Sequence, residues 1–148
     1  MNENIYPILL VEDSPEDTEA TIRAFKKAGV PQPIFHCENG DEGLDFLYRR
    51  GKYIESSQAP RPSVILLDLN LPGTDGREVL AEIKKDERLR TIPVLVLTTS
   101  TDERDIEKCY QMGANSYIKK PVDFDSFLRA VERLVDYWLR FVVLPRGE

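Results

Sequence analysis

The chain has one histidine, His36, two cysteines, Cys37 and Cys109, and one tryptophan, Trp138, among its 148 residues. A lone histidine leaves neither a zinc site nor histidine-based catalysis to expect. Two cysteines are too few for a disulfide scaffold and read as reduced thiols of a cytoplasmic protein. Basic residues are also in deficit: 20 Lys and Arg face 26 Asp and Glu, for a net charge of −6. A nucleic-acid binder usually shows a basic face, so no nucleic-acid partner is expected. No apolar run approaches the roughly 18 residues of a membrane span. The start, Met1-Asn2-Glu3-Asn4, lacks the basic and apolar regions of a signal peptide, so no membrane association is expected. The length fits a single domain over residues 1–148, large enough to bury a core.

What the chain does have is short apolar runs that end in charge. Pro7-Ile8-Leu9-Leu10-Val11 is followed by Glu12-Asp13, and Val64-Ile65-Leu66-Leu67 by Asp68. Ser116-Tyr117-Ile118-Lys119 leads into Lys120-Pro121. Apolar runs of this length between helical stretches read as buried parallel strands. In an open parallel sheet the carboxyl edge is where ligands bind, so three carboxylates and an ammonium are expected to meet there. Such a cluster is costly without neutralisation, and carboxylate oxygens suit a divalent cation such as Mg²⁺.

The rest of the chain alternates strand and helix signals, which predicts an α/β fold with five parallel strands and five helices. Asp13 or Ser14 caps a first helix, Pro15 suits its first turn, and Gly29 stops it. Strand two is expected at Ile34–Cys37 and a second helix over about Asp41–Arg50. Residues 51 to 63 carry Gly51, Pro60 and Pro62 without a clear period, and read either as a tolerated surface insertion or as a partner-contacting loop. A third helix is expected over Arg77–Lys85, strand four at Pro93–Leu97, a fourth helix over Asp102–Met112 closed by Gly113, and a long last helix from Asp123 or Asp125.

Four elements then fall in one order, each after its strand: Val11-Glu12-Asp13-Ser14, Leu66-Leu67-Asp68-Leu69-Asn70-Leu71-Pro72, Leu97-Thr98-Thr99 and Tyr117-Ile118-Lys119-Lys120-Pro121. Over about Tyr6 to Leu134 this pattern resembles the receiver domain of bacterial two-component response regulators. The resemblance implies a doubly wound, flavodoxin-like sheet of order 2-1-3-4-5. The Glu12-to-Asp17 start, the long segment after helix two, the Leu97-to-Ser100 run and the continuing last helix are similar to a narrower group. These are small receiver-only regulators paired with phytochrome-type histidine kinases.

The resemblance implies roles. Asp68 is the phosphoacceptor, taking its group from a histidine kinase. Asp13 and Asp68 are Mg²⁺ ligands, Glu12 acts through a metal-bound water, and Asn70 offers its backbone carbonyl. Lys120 offsets the phosphoryl charge, with Lys120-Pro121 a cis peptide. Thr98 carries the switch hydroxyl, the Thr99 N–H helps bind phosphate, and Tyr117 changes rotamer between states. Asn70 and Ser100 flank the phosphate. Each residue also has a plainer reading: a loop-capping acid for Asp68, helix-start acids for Glu12 and Asp13, strand propensity for Thr98 and Thr99, packing for Tyr117.

No output domain follows the receiver pattern, so signalling is expected to pass by contact, by self-association or onward along a phosphorelay. In the last helix, Phe127, Val131, Leu134 and Trp138 are spaced to face the core. Leu128, Val135, Tyr137, Leu139, Phe141, Val142, Val143 and Leu144 exceed what one buried stripe needs. That surplus predicts a homodimer through the helix and a tail from about residue 135, with Tyr137 and Phe141 as anchors, set against a tail folded back on its own domain. The competing functions are a phosphorylation-independent scaffold, an FMN protein and an aspartate-nucleophile phosphatase. The acidic loop Glu12 to Asp17 argues against FMN, and Asp68-Leu69-Asn70 lacks the second aspartate of such a phosphatase.

Overall fold

In a computed structural model, described here over residues 7–145, five parallel strands form one sheet of order β2-β1-β3-β4-β5. The strands are β1 (Ile8–Val11), β2 (Ile34–Cys37), β3 (Val64–Leu67), β4 (Val94–Thr98) and β5 (Ser116–Lys119). The helices are α1 (Pro15–Lys27), α2 (Gly40–Tyr48), α3 (Gly76–Lys85), α4 (Glu103–Gln111) and α5 (Phe124–Leu134). The central strands β1, β3 and β4 are buried along their whole length, whereas β2 and β5 are half-buried at the sheet edges. Continuous apolar runs thus belong where helices cover both faces.

The two faces of the sheet carry separate cores. Leu9, Val11, Ile65, Leu67 and Val96 pack with Leu44 and Phe46 of α2, Val79, Leu80 and Ile83 of α3 and Cys109 of α4. On the other face Ile8, Leu10, Leu66 and Leu95 meet Ala24 and Phe25 of α1 and Phe127, Val131 and Leu134 of α5. Both cysteines are free and buried, and desolvation pushes the Cys37 thiol up to about 12 and raises the Cys109 thiol as well, which disfavours the thiolate at both.

Caps set the helix starts close to expectation. Ser14 accepts from the Asp17 N–H with Pro15 opening α1, Asn39 caps α2, and Asp75 with Glu78 forms a capping box on α3. Gly76, expected in the loop, is the first residue of α3, and only glycine fits there. A Cβ on it would lie 2.2 Å from the Asp68 carbonyl oxygen and 2.6 Å from the Leu69 Cα.

Residues 51–63 are not featureless. Short 3₁₀ turns at Gly51–Tyr53 and Ser56–Gln58 break the segment, Ala59 is buried, and the Tyr53 O–H donates to Glu42 Oε2 at 2.6 Å. The tail also departs from expectation. After α5 the chain widens into a π-helical stretch, Val135–Phe141, ending in a Val142 N–H to Tyr137 carbonyl bond of 2.8 Å. Val135 is buried, and Leu128, Leu139 and Leu144 pack half-buried with Trp138 against the α1/α5 core. Much of the anticipated surplus is therefore used inside the domain. What remains exposed is Tyr137, Phe141 and Val143.

Candidate functional site

Parallel register aligns the strand ends. Val11 pairs with Leu67, Leu67 with Val96, and Thr98 with Lys119, so Glu12-Asp13, Asp68, Thr98 and Lys120 emerge along one edge. Backbone bonds fix the exits: the Glu12 N–H donates to Cys37 O at 3.0 Å, the Asp68 N–H to Val11 O at 3.0 Å, and the Lys120 N–H to Thr98 O at 2.7 Å.

The side chains converge as their charges require. One carboxylate oxygen each from Glu12, Asp13 and Asp68 lies within 4.8 Å of the others. Glu12 and Asp68 are buried and Asp13 is exposed. Lys120 Nζ donates to Glu12 Oε1 at 2.7 Å and to Asp17 Oδ2 at 2.8 Å, and stands 3.8 Å from Asp68 Oδ2. Burial works against the ammonium, but the hydrogen bonds it donates to Asp17 and Glu12 outweigh that and hold its pKa above the ordinary lysine value. Asp68 is pushed up to about 7, first by burial and then by the neighbouring Glu12 charge, with Lys120 and the Asn70 N–H pulling the other way. The lysine thus satisfies Glu12 better than Asp68. The excess negative charge is left on Asp68 and on exposed Asp13, and a small hard cation with oxygen ligands fits that donor set.

The other expected site residues sit around this cluster. Thr98 is fully buried at the end of β4, and its Oγ1 accepts from the Ser100 N–H at 3.3 Å. Thr99 and Asn70 are exposed at the same edge. Tyr117 lies one strand over, half-buried, its O–H donating to the Ser100 carbonyl at 3.1 Å. Tyr137 and Phe141 belong to the tail beyond α5 and take no part in the cluster. The Lys120–Pro121 peptide is trans, against the cis expectation: no described peptide is cis. Trans is the intrinsically preferred isomer even before proline, and here the Lys120 backbone and side-chain bonds already fix the segment.

Two contributors escaped the sequence reading. Asp17 is a direct partner of Lys120; its sequence signal is its place at the end of the acidic Glu12-to-Asp17 start, which assigned it no role of its own. His36 Nε2 lies 2.7 Å from the Glu12 carbonyl and 3.2 Å from Thr18 Oγ1, stapling β2 to the loop that holds the acids. Its signal was its position in the strand beside β1.

Residues 8–132 match the family model of the response regulator receiver domain. The chain is 41% identical over 138 residues to response regulator Rcp1 of Synechocystis, covering 93% of this chain and 92% of that protein. It is 42% identical over 137 residues to the probable methanogenesis regulatory protein FilR2 of Methanothrix harundinacea, covering 93% and 86%. Among solved structures it superimposes on the phosphorylated cyanobacterial phytochrome response regulator RcpA with a TM-score of 0.89 at 41% identity, over 95% of this chain and 98% of the other. The Mn²⁺-bound form of Rcp1 gives 0.88 at 40%, over 95% and 99%. Strand order, acidic edge and buried lysine find one common explanation, and the chain belongs to the response regulator receiver family.

Proposed function

We propose that this chain is a single-domain response regulator that accepts a phosphoryl group on Asp68 from a histidine kinase and signals by a change of conformation. The observation that carries the reading is the meeting of the Glu12, Asp13 and Asp68 carboxylates within 4.8 Å, with Lys120 beside them at the sheet edge. Asp13, Asp68, Glu12 and the Asn70 carbonyl are the groups that would hold Mg²⁺. When bound, the ion neutralises carboxylate and phosphoryl oxygens.

The chain's own residues do the rest. An Asp68 carboxylate oxygen attacks phosphorus in line; the O–P bond forms as the P–N bond to the kinase histidine breaks, its electron pair returning to the imidazole. Lys120 and the Thr99 N–H stabilise the phosphoryl oxygens. The Thr98 hydroxyl turns to donate to one of them, and Tyr117 follows by changing rotamer. The protein is not an enzyme on other substrates; it acts only on its own phosphorylation and dephosphorylation. It works in the cytoplasm, as a homodimer through Tyr137 and Phe141. Its similarity to the phytochrome response regulator RcpA favours a phytochrome-type kinase as donor.

Incubation with acetyl phosphate and Mg²⁺ tests the chemistry. Intact mass should rise by one phosphoryl group in the wild type, and not after Asp68→Asn or in excess chelator. A wild type that takes up no phosphate would instead favour a phosphorylation-independent scaffold. Phosphotransfer profiling against light-regulated kinases tests the donor.

A further inference from the structure

Arg77, the second residue of α3, uses its whole guanidinium. Its Nε and Nη2 donate to Asp105 Oδ1 and Oδ2 of α4 at 2.8 and 2.6 Å, and its Nη1 donates to the α3 cap Asp75 at 3.1 Å. A two-pronged charge-assisted contact of this kind fixes orientation as well as distance. The Arg77 and Asp105 side chains are 30% and 21% exposed, so solvent screens the pair only in part. Each partner shows the coupling: Asp105 holds the Arg77 guanidinium above its ordinary pKa, and Arg77 holds the Asp105 carboxyl below the usual carboxylate range.

The pair has a third member. Asp105 Oδ2 also accepts from Ser100 Oγ at 3.0 Å. Ser100 lies in the β4–α4 connection and uses both of its backbone groups. Its N–H donates to Thr98 Oγ1, and its carbonyl accepts from the Tyr117 O–H. The two side chains required to move on phosphorylation are thus both tied to one residue, and that residue is tied to an ion pair joining α3 to α4. When the Thr98 hydroxyl turns toward a phosphoryl group on Asp68, the connection it shares with Ser100 must shift with it. Contacts made in the resting arrangement and lost in the other set the equilibrium between them.

We infer that Arg77 and Asp105 are positioning residues that clamp Ser100, and through it Thr98 and Tyr117, in the resting arrangement, so that loosening the pair makes the phosphorylated arrangement easier to reach. This rests on Asp68 being the phosphoacceptor. It assigns the resting bias to a side-chain clamp joining α3 to α4 through Ser100, separate from the Glu12, Asp13, Asp68 and Lys120 cluster.

The test is calorimetric titration of the full chain with beryllofluoride in Mg²⁺, a phosphoryl mimic that adds to the acceptor carboxylate. Arg77→Met, Asp105→Asn and Ser100→Ala should each bind it more tightly than wild type, by about fivefold or more, the lower range of coupling between sites. Arg77→Lys, which keeps the charge but loses the fork, should fall between. Ser100→Ala combined with Arg77→Met should gain less than the sum of the two, because both cut the same tie. A purely structural pair would lower the melting temperature of the variants without tightening the mimic. Equal or weaker binding in the variants, with wild type binding normally, overturns the clamp alone. No binding by wild type overturns the phosphoacceptor reading and the clamp with it. Arg77→Lys keeps the charge, touches no group at the phosphate, and serves if Arg77→Met and Asp105→Asn fold poorly.

Discussion

Lys120 Nζ lies 2.7 Å from Glu12 Oε1, a contact between residues 108 positions apart whose side chains are 7% and 2% exposed. The pair locks β5 to β1 across the sheet edge. Removing one partner of a buried pair strands the other charge, at a cost of about 3–5 kcal/mol. Lys120→Met should therefore lower the stability of the metal-free protein by about that amount in urea unfolding. Millimolar Mg²⁺ should restore more stability to the variant than it adds to the wild type. A loss under about 1 kcal/mol, the range of exposed pairs, would mean that Glu12 is relieved by solvent.

Asp68 predicts a pH dependence of opposite sense to that of most carboxylates. Burial and the Glu12 charge raise its folded pKa to about 7 from an ordinary value near 3.8. Between these values the folded state holds more protons than the unfolded one, so this group's contribution to stability falls as pH rises through that window. Asp68→Asn should remove that slope. It should make the metal-free protein more stable than wild type at pH 8, on the order of 1–3 kcal/mol after allowing for partial solvation, with the difference fading toward pH 4. Mg²⁺ competes with the same proton, so its affinity for wild type should increase as pH rises through about 7. Guanidine unfolding across this range, with and without Mg²⁺, checks both. A flat difference between variant and wild type would place the titration elsewhere.

These two side chains also mark where the sequence is legible. Glu12, Asp13 and Asp68 follow directly on their strands, so the runs Ile8–Val11 and Val64–Leu67 deliver them to one edge once the strands are parallel. Asp17 and His36 were not legible as site residues. Their partners, Lys120 and the Glu12 carbonyl, lie 103 and 24 positions away and become neighbours only through the α1 docking angle and the β1–β2 pairing. The trans Lys120–Pro121 bond was equally out of reach, because the isomers differ by about 0.5–1 kcal/mol and tertiary contacts decide. In the tail, the change to π-helical spacing after Leu134 re-aims the side chains, so a count made at 3.6 residues per turn overstated the exposed apolar surface.

Gly76 should prove intolerant of any side chain. A Cβ there falls 2.2 Å from the Asp68 carbonyl oxygen, a backbone atom that cannot rotate away. Either α3 withdraws from the end of β3 or Asp68 is displaced. Gly76→Ala should therefore cost about 1–3 kcal/mol, as overpacking does. It should also slow phosphate uptake from acetyl phosphate relative to an equally destabilised core variant such as Ile83→Val, because only Gly76 bears on the acceptor backbone. Matching rates in the two variants would show that the strain is absorbed within α3.

Tyr137 and Phe141 are 53% and 78% exposed, with ring centroids 5.9 Å apart, and Val143 beyond them is 94% exposed. Leu139 and Leu144 turn back onto the domain while these three face outward, so the tail presents a small aromatic patch rather than a whole apolar helix face. Exposed aromatic rings side by side are among the residue types that dominate binding energy at protein interfaces. In the proposed homodimer, Tyr137→Ala with Phe141→Ala should raise the dissociation constant by about 30-fold or more, the equivalent of about 2 kcal/mol for an anchor pair. Both rings are exposed and only Tyr137 meets the core layer, edge-on to Trp138 at 5.4 Å, so the unfolding free energy of the monomer should change by no more than about 1 kcal/mol. Sedimentation equilibrium read beside urea unfolding separates the two effects. A variant that remains dimeric would remove these rings from the interface, and one that loses core stability would show that the tail serves its own domain.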